Sequence, residues 1–557
     1  MADRQRRTRE HFDLDRRAFM KLTAAAGTIA AASPALPAIV GRDRVHAAPT
    51  DDFEWEEATI ADLQRAMDRG RTTARALAAD YIERIESIDS GGFRLNSIME
   101  VNPDALGIAR QLDDERANGR VRGPLHGIPV VLKDNIDTAD EMETTAGSLA
   151  LLGARPTRDA FVARKLREAG AVILGKTNLS EWANFRSTHS SSGWSARAGQ
   201  CLNPYVLDHN PCGSSSGSGA AVAANLAAGA LGTETDGSIV CPSSANSVVG
   251  IKPTLGLTSR AGVIPLAHSQ DVVGPMARTV ADAATLLGAL TGVDRRDKAT
   301  RKSEGRARSD YTKFLREDGL RGARIGVWRE GGFGTSEETD AIIEDAIDAL
   351  RDAGARIIDP ANIPNAGELG DPEFTVLLYE FKTDIRKYLR TRPGLSVQSL
   401  RDLIDFNEAN AGVEMTWFEQ EIFLLAQDTG SLSDSVYLKA LRTARRLSRS
   451  QGIDKIMRER NLDAIVAPTG SPPWPTDLIS GDHFTLGSST PAAVAGYPNI
   501  SVPAGYSSGL PVGMSFNGRA WNEPRLIELA YAFEQTTQVR KPPRFRRTVA
   551  TRDYRER

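Results

Sequence analysis

Apolar residues follow two alternating periodicities along this chain, and the alternation predicts an α/β fold. From Thr73 to Ile88 they recur at helical spacing, whereas short uninterrupted runs such as Gly127–Leu132 are typical of buried strands. The same patterns predict helices at 61–69, 160–169 and 337–353, and strands at 171–175, 324–328, 355–359 and 462–467. Helices and strands that alternate in this way predict a sheet covered by helices.

A mostly helical pattern runs from Phe374 to Arg460, and no long polar linker divides the chain after residue 48. We therefore expect one large domain over residues 48–557, with a helical region at about 365–460. The charged stretch Arg295–Arg308 is interpreted as a solvated surface insertion. Apolar residues of the helical region could line a substrate pocket, but their helical spacing favours an ordinary core role; they are Leu377, Leu378, Tyr379, Trp417, Phe418 and Phe423.

The first 47 residues differ in character from the rest. The segment Asp15-Arg16-Arg17-Ala18-Phe19-Met20-Lys21 resembles the twin-arginine export signal of bacteria, and Leu22–Gly41 follows without a charge. A basic region, a weakly apolar stretch and small residues near Ala47 indicate a cleaved signal peptide over residues 1–47. A membrane anchor is the alternative, but Pro34 and Pro37 make this stretch a poor spanning helix. We expect an exported protein without stable membrane insertion.

Composition narrows the function classes. The net charge of −3 combines a leader of net +4 with a remainder of about −7, and an acidic body argues against a nucleic-acid partner. Three cysteines (Cys201, Cys212 and Cys241) neither form a disulfide framework nor have zinc-site spacing. We therefore expect no metal and no cofactor; the oligomeric state cannot be deduced.

Three short segments combine residues suited to catalysis. Lys133 ends the apolar run at 127–132, where loss of solvent lowers a lysine pKa and favours its role as a base. A Ser/Gly loop spans 212–219, and its glycines permit unusual backbone geometry. A turn over 232–242 places Ser238 where successive backbone N–H groups can converge on an anion. Taken singly, these segments also fit a salt-bridged lysine, a flexible loop and an ordinary turn.

In combination and in this order, the segments resemble the amidase signature family. That family has a Gly-Gly-Ser-Ser-Gly-Gly loop and a Gly-Thr-Asp-Thr-Gly-Gly-Ser-Ile-Arg turn, and the likeness extends over roughly residues 55–540. The resemblance implies a large mixed β-sheet core surrounded by α-helices. It also implies amide hydrolysis through an acyl-enzyme, with Ser238 as nucleophile, Ser214 as bridging serine and Lys133 as base. Backbone N–H groups of Thr235, Asp236, Gly237 and Ser238 are then the oxyanion-hole candidates.

The sequence departs from the general family pattern beside the nucleophile. Cys212 replaces a loop glycine, and Glu234, Asp236 and Val240 replace an aspartate, a glycine and an arginine of the turn. These residues, together with the segment 193–197, look most like the peptide amidase branch, which removes ammonia from C-terminal peptide amides. The substrate is thus expected to be a peptide or related small amide. Cys212 and Cys241 are interpreted as small packing residues, although close approach of their thiols is possible.

Three other functions compete with this one. Gly213–Gly217 matches the Gly-x-Ser-x-Gly elbow of α/β-hydrolases with Ser215 as nucleophile, but residues 202–211 before it are predicted to be loop, not strand. A tRNA-dependent amidotransferase subunit shares the signature and works with a partner, which the leader and acidic charge oppose. A catalytically silent binding protein on the same scaffold would not need Lys133, Ser214 and Ser238 together.

Overall fold

One large mixed sheet runs through residues 53–549, the part of the chain that this computed structural model describes. The expected signal peptide at 1–47 lies outside these residues. In chain order the strands are β1 (Ile98–Val101), β2 (Pro129–Lys133), β3 (Val172–Thr177), β4 (Trp194–Ser195), β5 (Gly199–Gln200), β6 (Gly229–Glu234), β7 (Val249–Lys252), β8 (Val272–Ala277), β9 (Arg324–Val327), β10 (Arg356–Ile358), β11 (Ala464–Pro468), β12 (Asn499–Ser507) and β13 (Leu510–Asn517).

Eleven of these strands, all within the described range, form the sheet in the order β1-β3-β2-β6-β8-β7-β12-β13-β11-β9-β10. β2 pairs in parallel with both β3 and β6, whereas β8 is antiparallel to β6 and β7. Leu132 of β2 lies opposite Leu231 of β6, so the carboxyl ends of these two strands reach the same edge of the sheet. This register brings Lys133 next to the residues that end β6.

Helices cover the sheet, as the α/β pattern predicts. The described residues form α1 (Ile60–Asp68), α2 (Ala74–Arg84), α3 (Ala105–Ala117), α4 (Phe161–Glu168), α5 (Ser216–Ala223), α6 (Val240–Ala245), α7 (Val280–Leu290), α8 (Glu337–Asp352), α9 (Gly370–Leu389), α10 (Leu400–Ala409), α11 (Ala411–Glu414), α12 (Glu421–Asp428), α13 (Ser435–Ser448), α14 (Asp454–Glu459), α15 (Thr490–Ala495) and α16 (Glu523–Thr537). No helix within residues 53–549 has both the length and the apolarity needed to cross a membrane.

Each helix and strand predicted outside the leader is present, with ends displaced by a few residues. The predicted helix at 73–88 ends at Arg84 and continues as a wider π-helical turn over Ile85–Ser90. Between Phe374 and Arg460 the structure is mostly helical, in α9 to α14. Within it, Leu377 and Phe423 are buried in a cluster of apolar side chains, whereas 43% of Trp417 is exposed. The prediction of a core role is therefore confirmed for Leu377 and Phe423 and is wrong for Trp417.

The charged residues of the stretch 295–308 are exposed, as expected, with Asp297 as the exception. Asp297, Thr300 and Ser303 are buried, and the Asp297 carboxylate accepts two hydrogen bonds from the Arg260 guanidinium, at 2.8 and 2.7 Å. Charge density alone predicted exposure, but an arginine from another part of the chain supplies a paired partner for the buried acid.

Candidate active site

Lys133 is fully buried at the end of β2, and its ammonium nitrogen faces the Ser/Gly loop. Nζ donates to Ser214 Oγ at 2.7 Å and to Thr233 Oγ1 at 2.9 Å. Burial lowers the pKa of Lys133 to about 7, against the opposing effect of the Asp271 and Glu234 carboxylates. The lysine can therefore lose its proton near neutral pH, which is what a base requires.

The Ser/Gly loop is packed, which excludes the flexible-loop interpretation. Ser214, Ser215 and Ser216 are fully buried. A Cβ on Gly217 would lie 2.2 Å from a backbone oxygen, so this position requires glycine, and one on Gly213 would lie 2.1 Å from Ser180 Oγ and would displace that side chain. The structure thus places Ser214 beside the lysine, as the resemblance implies.

Ser215, the rival nucleophile, is held by backbone groups of β6. Its Oγ donates to Thr233 O at 3.1 Å and accepts from Thr233 N at 3.2 Å. The stretch 202–211 before it contains only isolated bridges and turns, not the strand that a nucleophile elbow requires. Ser215 therefore fastens the loop to the sheet.

Ser238 is brought to the same loop from the turn that follows β6. The Ser215 backbone N–H donates to Ser238 O at 3.2 Å, and 7% of Ser238 is exposed. Within residues 53–549, the backbone N–H groups of Thr235, Asp236, Gly237 and Ser238 donate no hydrogen bond to the protein. These four groups are free to meet an oxyanion, and Gly237 has the positive φ of 78° that this turn needs.

The residues that depart from the family turn hold it in place. Glu234 Oε2 accepts from the backbone N–H groups of Ile239 and Val240, at 2.8 and 3.1 Å. The Asp236 carboxylate accepts from Ser489 Oγ at 2.5 Å and from Thr490 Oγ1 at 2.6 Å. Both substituted carboxylates are therefore hydrogen-bonded within the protein, Glu234 through Oε2 only, and they fix the turn from two sides.

A disulfide between Cys212 and Cys241 corrects the interpretation of these cysteines as packing residues. Their Cα atoms lie 6.0 Å apart, and the bond joins the loop that contains Ser214 to the start of α6, three residues after Ser238. Cys201 is buried and unpaired. Twenty-nine positions separate the two cysteines in sequence, so only the fold, which packs the two serine-bearing segments together, reveals the pairing.

Sequence reasoning missed two polar neighbours of the lysine. Thr233 receives hydrogen bonds at Oγ1 from both Lys133 Nζ and Asn135 Nδ2, each at 2.9 Å. Asn135 follows the lysine by two positions, but nothing in its local sequence shows that its side chain turns toward β6. The contact depends on the strand register.

One cluster has residue types that bind metals. The potential ligand atoms of His268, Glu380 and Asp384 lie within 4.8 Å of one another. His268 Nδ1 already contacts Asp384 Oδ2 at 2.6 Å, and Glu380 Oε1 accepts from Tyr437 at 2.8 Å. These contacts describe an ion-pair network, and the expectation of no metal stays a prediction.

Known proteins resemble this chain over most of its length. A sequence model of the amidase family matches residues 76–527. A probable amidase of Arabidopsis thaliana is 46% identical over 504 residues, which cover 88% of this chain and 92% of the plant protein. The crystal structure of native peptide amidase from Stenotrophomonas maltophilia is 52% identical, with a TM-score of 0.85, and the match covers 88% of this chain and 99% of that one. A glutamyl-tRNA(Gln) amidotransferase subunit of Halorhodospira halophila is 35% identical over 496 residues, which cover 87% of this chain and 98% of that protein.

The fold and these comparisons define an amide-hydrolysing enzyme. The chain belongs to the amidase signature family, and its solved structural neighbours include peptide amidase.

Proposed function

We propose that the enzyme hydrolyses the C-terminal amide of peptides, or a related small primary amide, through an acyl-enzyme on Ser238. The observation that supports this proposal most strongly is the buried contact of 2.7 Å between Lys133 Nζ and Ser214 Oγ, next to the turn that contains Ser238. A second serine between nucleophile and base allows a fully buried lysine to receive a proton from a partly exposed residue.

In this mechanism Ser238 Oγ attacks the amide carbonyl carbon and gives its proton to Ser214 Oγ, whose own proton passes to neutral Lys133 Nζ. The backbone N–H groups of Thr235, Asp236, Gly237 and Ser238 are the candidate donors to the developing oxyanion. The proton then returns through Ser214 to the leaving nitrogen, and the C–N bond breaks to release ammonia. Water then attacks the acyl-enzyme, with its proton taken up through the same relay, and the carboxylic acid is released from Ser238.

The substrate class is tested by a panel of amides. We expect purified full-length enzyme to release ammonia from N-acylated dipeptide amides with a kcat/KM at least about tenfold above that for free glutamine, because the identity to peptide amidase is 52%. Ammonia release, measured by a coupled assay, provides the comparison. Activity on glutamine that exceeds activity on peptide amides, or that needs tRNA or a partner protein, would favour the amidotransferase alternative.

We also propose that the protein is exported in folded form. The leader with Arg16 and Arg17 supports this, and the disulfide between Cys212 and Cys241 fits an oxidising destination. Replacing both arginines by lysine should retain the enzyme in the bacterial cytoplasm, as cell fractionation and immunoblotting will show. Unchanged export of the double variant would contradict a twin-arginine route.

A further inference from the structure

A small recess lies beside the proposed base. Its space of about 10 Å³, room for about one water molecule, is lined by Asn135, Ala146, Trp182, Ala183, Ile264 and Pro265. Asn135 Nδ2 donates to Thr233 Oγ1, the same oxygen that Lys133 Nζ contacts, so the wall of the recess and the lysine share one hydrogen-bond partner. A larger cavity of about 140 Å³, near Ser336 and Pro472, is lined by none of the three proposed catalytic residues.

Two polar atoms of the recess have no partner in the protein. Asn135 Oδ1, an acceptor, and Trp182 Nε1, a donor, are both unpaired among the described residues, and their side chains are 3% and 2% exposed. Buried polar atoms are nearly always hydrogen-bonded. Other buried atoms of this protein are also unpaired, but these two line one recess next to the lysine. An acceptor and a donor in the same recess indicate a ligand group that both donates and accepts.

The other walls are apolar and firmly positioned. The Trp182 ring packs edge-on against Phe423, with ring centroids 5.8 Å apart, and the Trp182 backbone N–H donates to Ala146 O at 2.9 Å. Ala146, Trp182 and Ala183 have positive φ angles of 52°, 51° and 56°. A backbone conformation with positive φ is unfavourable for residues other than glycine, and residues in it are concentrated at binding and catalytic sites.

The position of the recess determines which part of the substrate it can hold. The proposed relay returns its proton through Ser214, so the leaving nitrogen must lie on the Lys133 side of the scissile carbonyl, away from the oxyanion turn at 235–238. Because the recess has room for about one water-sized group, it suits a single small group and not a whole ligand.

We propose, on the basis of the function proposed above, that this recess receives the –NH₂ leaving group of a primary amide, with Asn135 and Trp182 as its specificity residues. Asn135 Oδ1 accepts an N–H of the bound amide. When the C–N bond breaks, the nitrogen takes its third proton from Ser214, and the lone pair of the ammonia accepts from Trp182 Nε1. A substituent on the amide nitrogen would meet the apolar walls, so the enzyme discriminates against N-alkyl amides.

The test compares three substrates that share one acyl group: the primary amide, the N-methylamide and the methyl ester, whose leaving oxygen has no N–H. Asn135→Ala in the full-length enzyme should lower kcat/KM for the primary amide roughly tenfold more than kcat/KM for the ester, and reduce the preference for the primary amide over the N-methylamide. Trp182→Phe keeps an aromatic ring but removes the pyrrole part of the indole with its N–H donor, and should also lower kcat on the primary amide.

Trp328→Phe is the matched control. Trp328 Nε1 is likewise buried and unpaired but belongs to a separate apolar cluster, so all three rates should stay within about twofold of wild type. An equal loss on amide and ester in Asn135→Ala, or no loss on the amide, would overturn the assignment of the recess. Wild-type enzyme that releases ammonia from no primary amide would overturn the proposed function itself, a result separate from either of these.

Discussion

At the scale of residues, the buried lysine connects sequence to chemistry. Lys133 ends an apolar strand, so its burial could be predicted from local sequence, and burial is the main cause of its lowered pKa. The identity of its partners required the fold. Ser214 could be anticipated through the family resemblance, whereas Thr233 and Asn135 reach the lysine through the pairing of β2 with β6.

The lysine pKa of about 7 gives the rate a specific pH dependence. A base must be neutral, and lysine is protonated below its pKa, so kcat should fall on the acid side of about pH 7 and approach a loss of about tenfold per pH unit. The pH profile of kcat on a peptide amide measures this decrease on the acid side.

Asp271→Asn provides a directional control for that profile. The Asp271 carboxylate raises the lysine pKa, so its replacement by a neutral amide should move the acid-side decrease of kcat to lower pH. The Asn side chain keeps an acceptor for Thr235 Oγ1, which lies 2.7 Å from the carboxylate in the wild type. A rate that increases with acidity in the wild type would contradict a lysine base.

At the scale of elements, periodicity located helices and strands but not the links between them. The predicted strands at 127–132 and 171–175 are present as β2 and β3, with displaced ends. The charged residues of the segment 295–308 are exposed as predicted, except Asp297, whose burial could not be foreseen because its partner Arg260 is distant in sequence. The unpaired atoms of Asn135 and Trp182 could not be foreseen either, since pairing is a property of the folded surroundings.

The disulfide is the element-scale feature with the clearest consequence. Closing a segment of this length stabilises a protein by about 3–4 kcal/mol in the chain-entropy description, so the double variant Cys212→Ser with Cys241→Ser should melt several degrees lower. Its kcat should also fall, because the bond joins the two serine-bearing segments. Calorimetry and steady-state kinetics measure both effects.

Cys201→Ser is the matched control, since Cys201 is buried and outside the bond. Thiol titration of the unreduced, denatured wild type should find one thiol per chain. Three titratable thiols would show that Cys212 and Cys241 are not bonded.

At the scale of the whole molecule, the sheet order places the catalytic candidates at one edge although more than a hundred positions separate Lys133 from Ser238. The α/β class was accessible from the alternation of patterns, but the order of the eleven strands in the described residues was not, because pairing across the sheet leaves no local signature. The family resemblance supplied the architecture that periodicity could not.

The central claim is that Ser238 forms an acyl-enzyme, and intact-mass spectrometry of the protein after brief reaction with an activated ester tests it most directly. We expect the wild type to gain the mass of one acyl group on Ser238, Ser238→Ala to gain none, and Ser215→Ala, which loses only contacts to β6, to keep the adduct. An adduct that persists in Ser238→Ala and disappears in Ser215→Ala would contradict the account.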